Sequence, residues 1–227
     1  MQKSRTIFIW DVQGCYEELK LLIKRLKLKK DDKVYFVWDL INRWPKDYKV
    51  LKYLYKNKHR FFCVKWNHEI NFLRWLKWEK YSKDKPFKIL KKKIKEKKSN
   101  YLIKYIEELP LYIEKRGFIL LHAWITPNKK LEDHSEDEIT RIREYNWKPW
   151  YEYYKWNKKV IYGHWAEENL QIREKTKWLD SWCVYGKALT AYILETEEVI
   201  QQNALDCYVN VYSKKHNTLE KIWRLFN

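Results

Sequence analysis

The chain has 227 residues, 45% of them hydrophobic, and a formal net charge of +18. That length and apolar share suit one α/β domain with a full core and exclude wholesale disorder. No apolar run approaches the roughly 20 residues of a membrane helix, and the opening TIFIW is too short for a signal-peptide core, so a cytoplasmic protein without a membrane span is expected.

TIFIW (6–10), KVYFVW (33–38) and RFFCV (60–64) read as strands, rich in β-branched and aromatic residues. Helical patterns follow each of them, at 16–26, 46–55 and 69–78. This alternation predicts a parallel sheet covered by helices. The segment 80–100 is the most charged, and a lysine-rich helical excursion is expected over about 80–108 within a single domain spanning 1–227. Further strands are predicted at 111–114, 118–122, 160–164, 191–195, 198–204 and 208–213. Their short connections in the closing third predict a second, mixed or antiparallel sheet. Cys15, Cys63, Cys183 and Cys207 lack CxxC spacing, which fits reduced thiols. The basic residues are mostly lysines strewn along helices, without arginine-rich reading patches. They read as a solvated surface that attracts anionic substrates, and a nucleic-acid partner is not expected.

Three early strands end on tryptophan followed at once by a residue able to bind metal: Trp10–Asp11, Trp38–Asp39 and Trp66–Asn67. In an α/β sheet, ligands collect beyond the carboxyl ends of the strands, so these three residues are expected to converge there. Each taken alone has a duller explanation, since Asp and Asn commonly cap the next helix. The tryptophans themselves are anomalous. There are 14 of them beside only 4 glycines, where average usage would give about 16 glycines. Tight strand-to-helix turns need positive φ and close backbone approach, which an indole resists. Glycine at Trp10, Trp38, Trp44, Trp66, Trp124 and Trp182 restores sense to the local motifs, and Trp147, Trp156 and Trp178 are further suspects. We therefore expect that a UGA codon meaning glycine in the source organism has been read here as tryptophan.

With those glycines restored, DVQGCYEEL, DLINRWP, NHE, HAWITP and YGHWA, in that order, resemble the calcineurin-like metallophosphoesterases. The resemblance runs from Ile7 to about Thr190 and points to the branch holding the serine/threonine protein phosphatases and the symmetrical bis(5′-nucleosyl)-tetraphosphatases. It implies an α/β fold of two packed mixed β-sheets flanked by helices, and a dinuclear metal centre. The implied ligands are Asp11, Gln13 (where many members have histidine), the bridging Asp39, and Asn67, His122 and His164. This mixture of oxygen and imidazole donors suits two divalent ions, manganese, iron, cobalt or zinc, with manganese favoured. Such a pair acidifies a shared water and neutralises charge on the phosphoryl group. His68 resembles the family's general acid and Arg43 the arginine that grips the phosphoryl oxygens through its planar fork. His59, His134 and His216 lack such contexts and are expected at the surface.

Gln13, Asn42 and the YGHWA stretch favour the nucleotide branch, with hydrolysis of diadenosine tetraphosphate into two ADP. Arg141 and Arg143 are candidate contacts for the polyphosphate, with a helical-surface role as their alternative. Glu69 argues the other way, because that branch usually has aspartate there. A phosphoprotein phosphatase or phosphomonoesterase is the alternative activity. A non-enzymatic, nucleic-acid-binding relic would show a broken ligand set, which this chain does not have.

Overall fold

The computed structural model describes residues 4–10, 12–37, 40–41, 46–78, 85–123, 125–126, 129–141, 144–145, 148–163 and 171–209. The first half alternates as expected: β1 (Thr6–Ile9), α1 (Tyr16–Leu26), β2 (Lys33–Phe36), α2 (Asp47–Lys56), β3 (Phe61–Cys63) and α3 (Asn67–Trp78). Next come α4 (Lys85–Glu96), α5 (Tyr101–Glu108), β4 (Tyr112–Glu114), β5 (Phe118–Leu121) and α6 (Glu136–Arg141). A short pair, β6 (Glu144–Tyr145) and β7 (Lys148–Pro149), precedes β8 (Lys159–Ile161), β9 (Gln171–Ile172), β10 (Thr176–Trp178), β11 (Ala188–Ile193) and β12 (Glu198–Asn203).

Two five-stranded mixed sheets result, in the orders β12-β11-β1-β2-β3 and β4-β5-β8-β10-β9. In the first, β1, β2 and β3 are parallel, with Ile7 opposite Val34 and Val34 opposite Phe61. The two-sheet expectation holds, but its division of the chain needs correcting. The closing strands β11 and β12 do not build the second sheet. They return antiparallel to the free edge of β1, pairing Ile7 with Ile193. The second sheet is made by the middle of the chain, through the parallel pairs β5–β8 and β8–β10. β9 and β10 were not legible as strands, being two and three residues long. Of the predicted strand 208–213, Tyr208 and Val209 lie outside any strand, and 210–213 lie outside the described residues.

The period-2 alternation of β1 explains the layering. Ile7 and Ile9 face the helices, packing in one core with Leu19, Leu22, Leu51 and Leu54. Phe8 and Trp10 face the second sheet, in a second core with Tyr35, Trp66 and Phe118. Phe118 meets Phe8 and Tyr35 edge-on, each with ring centroids 5.0 Å apart. Each fully buried side chain of this size contributes roughly 1.5–3 kcal/mol. The lysine-rich excursion is helical as expected but not free: Phe87, Leu90 and Ile94, spaced i, i+3, i+7, are buried on one face of α4. No helix among the described residues is long and apolar enough to cross a membrane, and all four cysteines are free.

Among the suspect tryptophans that are described, Trp182 alone takes positive φ, at 56°. Its N–H donates to Asp180 Oδ1 at 2.9 Å, and its carbonyl accepts from Tyr185 and Lys187. This is a left-handed turn that glycine adopts without the cost of a Cβ, which is about 1–2 kcal/mol. Trp10, Trp66 and Trp178 have ordinary φ and are fully buried, so the left-handed expectation does not extend to them. Trp182→Gly and Trp182→Ala both remove the indole, and only alanine keeps a Cβ. The glycine variant is expected to be the more stable by about 1 kcal/mol in urea denaturation; equal stability would reject the glycine reading at this turn.

Candidate active site

The loops carrying the predicted ligands are tied together by hydrogen bonds between described residues. After β1, the Trp10 N–H donates to the Thr190 carbonyl at 3.1 Å, and its indole Nε1–H donates to the Tyr162 carbonyl at 3.2 Å. The second bond joins the end of β1 in one sheet to the end of β8 in the other. After β2, the Leu40 N–H donates to Oε1 of Glu69 at 3.2 Å, binding that loop to the first turn of α3. Glu69 is fully buried. After β5, the His122 carbonyl accepts from the Gly163 N–H at 2.8 Å. The register of β5 on β8, Leu120 opposite Ile161, sets His122 beside Gly163.

Five strand ends therefore meet on one side of the molecule. Of the predicted site residues, Gln13, Asn67, His68, His122 and Arg141 are described; Asp11, Asp39, Arg43, Arg143 and His164 lie outside the described residues. The chain neighbours of the undescribed ligands, Trp10, Leu40 and Gly163, all belong to the tied set above.

Gln13 sits in the turn between β1 and α1 with φ 36°, followed by Gly14 at φ 79°. These two left-handed residues reverse the chain, and the Gln13 side chain is buried. Asn67 is the first residue of α3, and the residue in the capping position is Trp66, whose carbonyl accepts from the Ile70 N–H at 2.8 Å. Asn67 therefore does not serve as the helix cap. Its Oδ1 is buried and has no hydrogen-bond partner among the described residues, a condition that ordinarily costs about 1–3 kcal/mol. A hard cation would satisfy such an acceptor, so the donor chemistry here fits the divalent ions that the motifs imply. His68 is half-buried one residue further on.

His122 is fully buried, and the Trp66 ring stands against it edge-on, with centroids 4.2 Å apart and planes at 72°. Tryptophan is a poor helix N-cap, where glycine is well tolerated. An indole at 66 thus combines a disfavoured cap with close contact on a predicted metal-binding imidazole. Among the described residues no three His, Cys, Asp or Glu cluster closely enough to hold a metal; of the predicted metal ligands that are described, Gln13, Asn67 and His122, only His122 is of those types.

Arg141 is engaged within the fold. Its Nε donates to Asp137 Oδ1 at 2.8 Å and its Nη2 to Asn71 Oδ1 at 2.7 Å. With Arg74–Glu136 at 2.8 Å, it clamps α6 against α3. These bonds engage Arg141 along the helical surface. His134 corrects an expectation: it is buried, not superficial. Its Nε2 accepts the Thr126 N–H at 2.9 Å, and its Nδ1 lies 2.8 Å from the Lys130 carbonyl, bracing the HAWITP loop. The signal available in the sequence was the spacing of eight residues between them, which carries no familiar motif.

Ser135 and Glu138 form a capping box at the start of α6, with the Ser135 N–H donating to Glu138 Oε2 at 2.7 Å and the Glu138 N–H to Ser135 Oγ at 3.3 Å. The Lys129 ammonium, 2.8 Å away, and these bonds hold the Glu138 carboxyl down at about 2. A carboxyl whose folded pKa is depressed stabilises the fold above its unfolded pKa, and that contribution fades as pH falls towards about 2. Glu138→Gln is expected to lose about 1 kcal/mol near neutral pH. In denaturation curves taken across acidic pH, its deficit against the parent should shrink to nothing; a constant deficit would reject the assignment.

No family model matches the chain. The chain is similar to the symmetrical bis(5′-nucleosyl)-tetraphosphatase of Pseudomonas putida strain W619, 26% identical across 88% of this chain and 93% of the relative. It is also similar to that of Vibrio parahaemolyticus, 25% identical across 88% and 99%. Among solved structures, one assigned provisionally as a diadenosine tetraphosphatase superposes with a TM-score of 0.74 at 24% identity, covering 89% of this chain and 95% of that one. A metallophosphoesterase from Sphaerobacter thermophilus gives a TM-score of 0.56 at 9% identity, covering 89% of both. These last two share the fold.

Proposed function

We propose, for a chain that belongs to the calcineurin-like metallophosphoesterase superfamily of phosphoric ester and anhydride hydrolases, that its reaction is the symmetrical hydrolysis of diadenosine tetraphosphate to two ADP. The observation that carries this reading is the cross-tying of the loops after β1, β2, β5 and β8, together with Asn67 at the start of α3, whose buried Oδ1 has no hydrogen-bond partner among the described residues. Near-full-length similarity to two tetraphosphatases supports the choice of substrate.

Asp11, Gln13, Asp39, Asn67, His122 and His164 would hold two divalent ions, manganese favoured. Bound there, the ions supply positive charge against the phosphoryl oxygens and make water a stronger nucleophile. Arg43 grips the phosphoryl group with its fork and orients it for in-line attack. His68 donates a proton to the departing ADP oxygen. The water oxygen is thereby joined to phosphorus, the central anhydride P–O bond breaks, and two ADP leave. Gln13 contributes a neutral amide where histidine is frequent, so it weakens the hold of the first ion. The two sheets act as one domain, because ligands come from loops of both.

Manganese-loaded protein carrying glycine at the suspect tryptophans is the material for the assay. ADP as sole product from diadenosine tetraphosphate is expected. Turnover confined to a phosphopeptide or phenyl phosphate would transfer the assignment to the phosphatase alternative. Asp39→Asn is expected to lower kcat by roughly a hundredfold or more; full turnover in that variant would contradict the metal-dependent mechanism. Trp66→Gly is expected to raise the manganese bound per chain, read by elemental analysis of the protein without any turnover.

A further inference from the structure

Away from the predicted ligands, α2 packs between α1 and α4, and a cleft of about 490 Å³ opens along it. Lys49, Lys52 and Lys56 line one wall, spaced i, i+3, i+7, which sets a stripe about 10 Å long on one helix face. Lys93 of α4 and Lys97, just beyond its end, line the other wall. Among the described residues, Glu17 lies 3.7 Å from Lys49 and Glu96 3.8 Å from Lys93. Lys52, Lys56 and Lys97 have no acidic partner among the described residues. Five lysines thus line one concavity with two carboxylates between them, an excess of positive charge that favours an anion there.

We propose that this cleft binds a linear chain of phosphate groups, of the kind found in short inorganic polyphosphate. Its walls favour that ligand over single-stranded nucleic acid for a specific reason. Nucleic-acid grooves offer open aromatic faces on which bases stack. Here the tyrosine faces are covered by ammonium groups of the chain itself: Lys49 stands 5.4 Å over Tyr16, Lys52 5.8 Å over Tyr48, and Lys20 5.2 Å over Tyr53. Tyr48 is further committed, its hydroxyl lying 2.9 Å from that of Ser99. Among the described residues the cleft lining holds no arginine, so these walls offer compact point charges and no planar fork for a base edge. Such a site recognises closely spaced negative charge and little else. This inference stands independently of the hydrolytic reading, because it concerns binding and involves no turnover.

The test is fluorescence-detected binding of short linear polyphosphate to the full chain at low salt. Lys52→Ser/Lys56→Ser/Lys97→Ser is expected to weaken binding by roughly tenfold or more. A control with the same change in net charge, Lys33→Ser/Lys104→Ser/Lys115→Ser, removes exposed lysines elsewhere and is expected to retain most of the affinity. The single reversal Lys97→Glu, read beside its melting curve, gives the same direction with minimal perturbation. Equal losses in both triple variants, no binding by the parent chain, or tighter binding of an oligonucleotide of matched charge would each overturn the proposal.

Discussion

The structure depends on the aromatic layer between its two sheets. β1 turns Phe8 and Trp10 inward, β2 turns Tyr35 the same way, and β5 answers with Phe118, so that the sheets meet through edge-on rings. That packing is what brings the carboxyl ends of β1, β2 and β3 against those of β5 and β8. Without it, each sheet would present its own row of loops, and His122 would not meet Trp66. The hydrogen bonds from Trp10 to Tyr162 and from Gly163 to His122 then fix the ends that the packing has brought close. Local backbone chemistry thus finishes what side-chain burial begins.

The same layer sharpens the conflict between indole and glycine. Trp10, Trp66 and Trp178 are buried where the sheets come together, and each indole finds space there. Burial of apolar rings is favourable in itself, although the buried Trp178 Nε1–H has no hydrogen-bond partner among the described residues. The objections are local and differ by site. At Trp182 the backbone is left-handed. At Trp66 the residue occupies a helix cap and its ring leans on His122. A fold can absorb bulk in its core while the chemistry at its edge suffers, because a ligand site requires unfilled volume and a core does not.

Much of the architecture was legible in the residues. The first βαβαβα run was readable because strand and helix periods alternate cleanly there, and parallel pairing follows from that alternation. The return of β11 and β12 to the first sheet was not, since a strand's partner is a matter of long-range pairing that local pattern does not encode. β11 is buried at every position, a pattern that says only that it lies inside. β9 and β10 are too short to show a period. For the site, the motifs named candidate ligand positions, but not the cross-ties among their loops. Those ties run through backbone groups such as Leu40 N–H and the Tyr162 carbonyl, which every residue type carries. His134 was missed for a related reason: its partners, Thr126 and Lys130, contribute only backbone groups.

Glu69 illustrates how a departure from a family pattern takes on physical meaning. As a sequence feature it weighed against the nucleotide branch, where aspartate is usual. In the structure it is fully buried, and its carboxylate reaches across to the Leu40 N–H from the first turn of α3. An aspartate at the same backbone position is one methylene shorter and would need the β2 loop to move closer to make this bond. The longer side chain is therefore a matter of loop separation, read as a distance between two backbone segments. It joins the loop that carries Asp39 to the helix that opens with Asn67 and His68. A residue with that task constrains the spacing of these two segments. Glutamate in place of aspartate here accordingly reports on how far apart the loops stand and says nothing about which phosphorylated molecule enters between them.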